Sequence, residues 1–515
     1  MASQLFARKP LSLLLEEMAG EHRLRRVLGP VQLTSLGVGA VIGTGIFVLT
    51  GVAAHDRSGP AMILSFAVAG FACALAALCY AEFASMAPVA GSAYTYAYAT
   101  LGELLAWIIG WDLIIEYAVS AAAVAHGASH YFQDLLSIFR IQLPPALTDA
   151  PFDYSPAVGR LVATGAVFDL PAMVIISLVT VVLVIGIKES ASFNAAMVIL
   201  KVAVVIFIIV VGAFYVNPAN WHPFAPYGYA GINFFGRTIV GQADAGGQPV
   251  GMLAGAGIIF FAYIGFDSVS THSEEARRPE RDVPIGIIAS LLICTILYMA
   301  VGAVLTGMVP SSDIDINAPV SSAFRRVGLT WAQLLISFAA VIGITSVALV
   351  TMLSQARVLL AMARDGLLPR FFADVHPRFR TPWKSTILTG VFVALLSSLL
   401  PLRILADVVN IGTLLAFAIV CAAVLIMRRT HPEAKRPFRA PLVPLTPVLG
   451  VATCLLLMFS LPAENWLRLG GWLVLGLAIY FGYGRRRSVM ARLGRTERSS
   501  LPMKESGGRE GPHYR

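Results

Sequence analysis

The chain is short of charge. Asp, Glu, Lys and Arg make up 13% of its 515 residues, against about 25% in a soluble globular domain. Hydrophobic residues reach 57% and the mean hydropathy is +0.76, a balance that excludes an ordinary large soluble protein. Cysteine is scarce too. Cys73, Cys79, Cys294, Cys421 and Cys454 are odd in number, lie within apolar runs and carry no metal-ligand spacing, so they are expected to be small packing residues. No Gly-Lys pair occurs, which removes the phosphate-binding loop an ATP-driven pump needs. Repeated filter loops of the kind a channel uses are missing as well. The histidines (His22, His55, His126, His130, His222, His272, His376, His431 and His513) fall mainly in loops or at the ends of apolar runs, with no motif grouping them. That speaks against a membrane-embedded enzyme, which needs such a constellation at one depth. Neither a metal nor a cofactor is expected. Nor is a cleavable leader, since the first 30 residues are basic and mixed and the first long apolar run is a full span.

What the chain has is long apolar runs, many of 18 residues or more, each long enough to cross a bilayer. They are expected at roughly 31–54, 60–87, 102–127, 170–188, 193–216 and 250–272, then 285–309, 331–362, 383–401, 403–427, 445–461 and 466–484. Continuous apolar runs of this length read as helices, because helices satisfy every backbone group in lipid. The expected class is thus an all-α membrane protein with 12 transmembrane helices. Charge sets its orientation. With the N-terminus inside, 29 of the 38 basic residues fall in inner segments, 8 fall outside and Lys201 lies in a span. That bias puts both termini in the cytoplasm of a cell membrane, of bacterial inner-membrane type. It also accounts for the net charge of +9 without nucleic acid, because the basic residues ring one membrane face.

Span 1 carries Gly43-Thr44-Gly45 near its centre, and span 6 carries Gly255, Gly257 and Gly265. A dinucleotide fingerprint would need a preceding strand, which is lacking here. Gly39 and Gly43 could form a small-residue packing face. Alternatively Gly-x-Gly lets the helix unwind, and the freed amides then form an anion site. Five spans separate the two interruptions, so a five-span repeat would insert upside down relative to its copy. Gly-interrupted helices at matching places of inverted halves point to a transporter site.

Gly39-Ala-Val-Ile-Gly-Thr-Gly-Ile-Phe47 resembles the first-helix signature of the amino acid–polyamine–organocation superfamily. The stretch Phe261-Ala-Tyr-Ile-Gly-Phe-Asp267 through Glu275, with Arg278-Pro and Val283-Pro-Ile-Gly286, is similar to the sixth helix of its cationic amino acid transporter branch. Leu78 to Glu82, Gly91 to Tyr96, Lys188-Glu-Ser190 and Ala363 to Pro369 are also similar, and the likeness runs over roughly residues 25–485. It implies a LeuT-type 5+5 inverted repeat (31–216 and 250–427) followed by two helices (445–484), between a cytoplasmic segment (1–30) and a disordered tail (485–515). It implies a proton-coupled permease for L-amino acids, and leaves room for a small accessory membrane subunit. Residue by residue, it assigns the amides of Gly43, Thr44, Gly45 and Ile46 to the substrate carboxylate. The carbonyls of Ile42, Phe261, Ala262 and Ile264 would take the ammonium, with Phe261 as an aromatic gate. An amino acid sensor on the same fold would leave the same signal.

Charged residues inside spans are costly and mark function. Asp112, Glu116 and Ser120 repeat at i, i+4, i+8, one face of span 3 that is expected to turn inward. Lys201, in span 5, matches a lysine that in some superfamily members replaces sodium and responds to protons. It is either a coupling group or a structural cation tying spans 1, 5 and 8. Asp267 lines a cytoplasmic path or caps a half-helix. Glu274 and Glu275 form an inner gate or a solvated loop. Glu82 calls for a basic partner that the sequence does not identify. Ser346, Val347 and Ala348 of span 8 are expected as small pocket walls opposite Glu116. Membrane lipid and a small amino acid are the expected partners. A broad neutral range is favoured, because Glu116 could be neutralised by Lys201 or protonated by burial; lysine, arginine or ornithine is the alternative.

Overall fold

The computed structural model describes residues 5–9, 28–86, 92–155, 158, 160–186, 191–234, 237–379 and 381–491. The apolar runs fold into α1 (Pro30–Val41), α2 (Met62–Met86), α3 (Glu103–Ile138), α4 (Leu170–Ile185), α5 (Ala191–Ala213) and α6 (Met252–Ile259). There follow α7 (Pro279–Met308), α8 (Thr330–Arg364), α9 (Trp383–Leu399), α10 (Leu402–Thr430), α11 (Leu445–Met458) and α12 (Ala463–Ile479). Among the described residues, eight helical stretches are long and apolar enough to cross a membrane, and four further apolar helices are shorter. The described chain is predominantly helical.

Two differences from the sequence reading have physical causes. α3 runs to Ile138 rather than stopping near 127, because the polar residues that end its apolar run are buried with partners. Asp134 accepts hydrogen bonds from Ser321 (2.8 Å), Gln333 (2.9 Å) and Ser337 (2.6 Å), and Ser129 donates to Asp169 (2.6 Å). The all-helical expectation also omitted three short antiparallel ladders. Phe152–Ser155 pairs with Arg160–Ala163, Ile232–Phe234 with Arg237–Val240, and Gln242–Ala243 with Pro249–Val250. All lie in the two long connections, α3 to α4 and α5 to α6, where backbone outside the helices must pair with itself.

Helices five apart in order pack together: α2 along α7, α3 along α8 and α4 along α9. α3 also packs on α10, and α1 lies between α5 and α7. Glycines set some of these distances. A Cβ on Gly37 of α1 would stand 2.5 Å from Ser290 Oγ of α7, and one on Gly39 would stand 2.6 Å from Val198 Cγ2 of α5.

Candidate substrate-binding site

α1 stops in mid-protein. Ile42 turns to an extended conformation (φ −72°, ψ 99°), and helical turns resume only at Gly45. Neighbouring helices satisfy the carbonyls on either side, as buried backbone requires. Tyr298 of α7 donates to the Val41 carbonyl (2.8 Å) and Tyr131 of α3 to that of Phe47 (2.7 Å). Among the described residues, no backbone hydrogen bond leaves the amides of Gly43, Thr44 or Gly45. Ile46 differs: its amide donates to the Gly43 carbonyl (3.2 Å). It is already spent on the turn, which removes it from the expected set of carboxylate donors.

The second break follows α6. A 3-10 turn over Phe260–Tyr263 leads to Ile264, which is extended (φ −60°, ψ 134°), and a short helix restarts at Ser268. Gly265 has φ +116°, a conformation open to glycine and costly for other residues. Asn410 of α10 donates to the Gly257 (2.9 Å) and Ile258 (3.1 Å) carbonyls. The Phe261 carbonyl accepts from the Ile264 amide (3.2 Å), while those of Ile42, Ala262 and Ile264 accept none among the described residues. The two breaks touch: a Cβ on Gly45 would stand 2.3 Å from the Ala262 Cα. Each break thus carries backbone groups without a backbone partner among the described residues, amides on the first and carbonyls on the second, the two kinds of group that the ends of a zwitterion need.

The walls come from α3 and α8. Val347 faces the first break, its Cγ2 3.0 Å from where a Gly43 Cβ would be. Ser346 is half-buried and donates back to its own helix at Gly343 (2.9 Å), and Ala348 is buried. On α3, Thr44 packs on Gly127 and its hydroxyl points at the Val124 carbonyl (3.4 Å). Glu116 is eight residues earlier, about 12 Å along the helix axis at 1.5 Å per residue. It is buried with Asp112 and Ser120, so that face does turn inward. Its charged neighbours are Asp267 and Asp112, so the expected neutralisation by Lys201 is not found among its contacts. Glu116 sits beside the second break, below the level of Thr44.

Lys201, 2% exposed, donates from Nζ to the Gly39 carbonyl (2.7 Å), and its stem packs over Gly343 of α8. It ties α1, α5 and α8 together. Asp267 is fully buried and accepts from the Tyr117 hydroxyl (2.9 Å); its side chain does not cap the helix it precedes. Glu275 lies 3.9 Å from Arg357, and its carbonyl accepts from the Leu28 amide (3.0 Å), joining the segment before α1 to the one after α6. The side chain of Glu274 lies outside the described residues.

Glu82 has the basic partner that the sequence could not supply. Arg428 meets it with two hydrogen bonds (3.0 and 2.6 Å), the Ala440 amide adds a third (2.8 Å), and Arg436 stands 3.4 Å away. Removing one side of a buried pair strands a charge, at about 3–5 kcal/mol. Glu82→Ala is expected to lower the melting temperature of detergent-purified protein clearly, while Arg428→Lys, which keeps the charge, loses less. Equal stability of Glu82→Ala and the wild type would contradict this.

Sequence reasoning missed Tyr131, Tyr298 and Asn410, single polar residues in apolar runs whose role depends on partners more than 80 residues away. It also left the histidines ungrouped, whereas His126 and His130 meet Asp149. Their i, i+4 spacing was the available signal.

The amino acid permease family model matches residues 28–467. The chain is 46% identical over 488 residues to the methylthioribose transporter of Bacillus subtilis, covering 95% of this chain and 99% of that protein. It is 46% identical over 491 residues to the branched-chain amino acid permease BcaP of the same organism, covering 95% and 100%. The vacuolar cationic amino acid transporter 4 of Arabidopsis thaliana is 40% identical over 417 residues, covering 80% of this chain and 65% of that one. Two abutting helix breaks in a membrane-embedded helical body, with these relatives, make the chain a member of the amino acid permease family of the amino acid–polyamine–organocation superfamily.

Proposed function

We propose that this permease is a proton-coupled secondary transporter of L-amino acids, with neutral side chains preferred. The proposal includes twelve crossings, both termini in the cytoplasm, and alternating access about the breaks in α1 and α6. The carrying observation is that the two breaks abut at Gly45 and Ala262, while the amides of Gly43, Thr44 and Gly45 and the carbonyls of Ala262 and Ile264 make no backbone hydrogen bond among the described residues. A zwitterion buried there satisfies both sets of backbone groups at once, which would otherwise be costly. Pairing of helices five apart supports an inverted 5+5 repeat of LeuT type, α1–α5 against α6–α10, with α11 and α12 added. Gly43, Thr44 and Gly45 then hold the carboxylate, Ile42, Phe261, Ala262 and Ile264 the ammonium end, and Phe261 closes over the substrate. Asp267 and Glu275 lie on the cytoplasmic side, where the Glu275–Arg357 and Leu28–Glu275 contacts hold the path shut. Neutral selectivity is supported by the walls beside Thr44, namely Val124, Gly127 and Val347, with Glu116 about 12 Å away.

The test is uptake into proteoliposomes of labelled alanine, leucine and arginine, with and without an inward proton gradient. Alanine and leucine uptake driven by the gradient is the expected result; no uptake of any amino acid would leave a sensor on the same fold. The name of one relative makes methylthioribose a necessary competitor in the panel. The cationic reading draws on the Arabidopsis relative and on Glu116. It would prevail if excess arginine strongly inhibited alanine uptake and Glu116→Gln abolished that inhibition. With neutral selectivity, arginine changes alanine uptake by less than about twofold, a fraction of RT.

A further inference from the structure

Toward its C-terminal end, α3 presents His126 and His130 one turn apart on one face. Asp149, from the connection to α4, reaches back to both. Its Oδ1 lies 3.5 Å from His126 Nε2 and 3.8 Å from His130 Nε2, and the three ligand atoms lie within 4.8 Å of one another. These three residues line a cavity of about 130 Å3 together with Asp153 and Tyr154. The distances decide between two explanations. A histidine–carboxylate hydrogen bond closes to about 2.7–3.2 Å, which neither contact does. Ligands of a tetrahedral ion with bonds of about 2.0–2.1 Å stand about 3.4 Å apart, which both contacts approach.

The surroundings favour the ion. His130 is 8% exposed, yet neither of its ring nitrogens has a hydrogen-bond partner among the described residues. His126 Nδ1 lies 3.2 Å from the Ser397 carbonyl and 3.1 Å from Asp169 Oδ2. Both are acceptors, so Nδ1 carries the proton and the Nε2 lone pair faces the cavity. Asp169 is itself fixed by Ser129 (2.6 Å) and by the Ala172 amide (3.0 Å). A backbone carbonyl that orients a ligating histidine through its other nitrogen is a recognised outer support of a metal site, and the Ser397 carbonyl takes that place here.

We infer that His126, His130 and Asp149 bind a divalent transition ion of the zinc type, with water as the fourth ligand. Imidazole with one carboxylate suits zinc over magnesium or calcium, which prefer all-oxygen sets. The bound ion joins the α3–α4 connection to the end of α3, above the outer side of the breaks.

The experiment uses the full chain in detergent with any affinity tag removed. Zinc is added, excess is dialysed away and retained metal is counted; cobalt serves as a spectroscopic substitute. One equivalent of zinc per chain is expected, with a tetrahedral visible absorption band from cobalt. Asp149→Asn and the double variant His126→Ala/His130→Ala should lose both. Absence of the cobalt band in the unaltered protein would overturn the inference whatever the variants do. So would stoichiometric zinc that survives the double variant. The readout needs no substrate, so it stands apart from the transport proposal.

Discussion

Gly45→Ala is expected to express, insert and bind no substrate at concentrations that saturate the wild type. The added methyl would stand 2.3 Å from the Ala262 Cα and 2.5 Å from its Cβ, where carbon atoms rest at about 3.5–4.0 Å. The obstacle is backbone, so no side-chain rotation relieves it, and the two broken segments must separate by an ångström or more. Overpacking of about 1–3 kcal/mol expressed in affinity is about a 5- to 150-fold loss, and the misplaced amides add to it. Gly43 behaves differently, because its nearest neighbour is the Val347 side chain at 3.0 Å. Gly43→Ala should weaken binding only a few-fold, and Val347→Ala should restore it. Gly43→Leu, too large for that relief, should abolish saturable binding. The measurement is equilibrium binding of labelled substrate to purified protein. Wild-type affinity in Gly45→Ala would remove the contact between the breaks from the binding site.

The interruptions were legible in the sequence because glycine has a local meaning: Gly43-Thr44-Gly45 and Gly265 unwind their own backbone. The inward face of Asp112, Glu116 and Ser120 was legible for a similar reason, since helical periodicity fixes it. Relations between distant residues were not. That Glu82 meets Arg428, 346 positions on, depends on how α10 settles against α2, and apolar runs carry little information about rotation. The depth of Glu116 was misjudged through the same gap: its helix was known, but its height relative to Gly43 depends on how α3 is shifted along its axis. Ile46 was misassigned because a motif names residues, and only the folded turn reveals which amide is already bonded. α3 was cut short because His126, Ser129 and Asp134 look like a loop until their partners are in place.

Lys201→Met is expected to abolish accumulation driven by a proton gradient while leaving substrate exchange within about threefold of wild type, under 1 kcal/mol. The lysine donates 2.7 Å to the carbonyl of Gly39, in the last turn of α1 before the break. The end of a helix carries partial negative charge from its unpaired carbonyls and holds a cation well. A protonated Nζ there fastens α1 to α5, and its stem over Gly343 extends the link to α8. Gly343 and Val347 lie one turn apart on α8, and Gly43 follows Gly39 by four residues just beyond the end of α1, so the lysine contact lies close to the Gly43–Val347 contact. In the proton-coupled cycle proposed above, loss of the proton would weaken this tie beside the break in α1 and so link protonation to opening. Methionine keeps the length and removes the charge. It therefore uncouples the hinge without emptying the space, and exchange, which needs only the loaded carrier to reorient, survives. The pair of measurements is uptake against a concentration gradient with an inward proton gradient, and counterflow without one. Undiminished proton-driven accumulation by Lys201→Met would move the coupling role to Glu116, where Glu116→Gln is the corresponding variant. Loss of both activities would make Lys201 the structural cation its three-helix contact also allows.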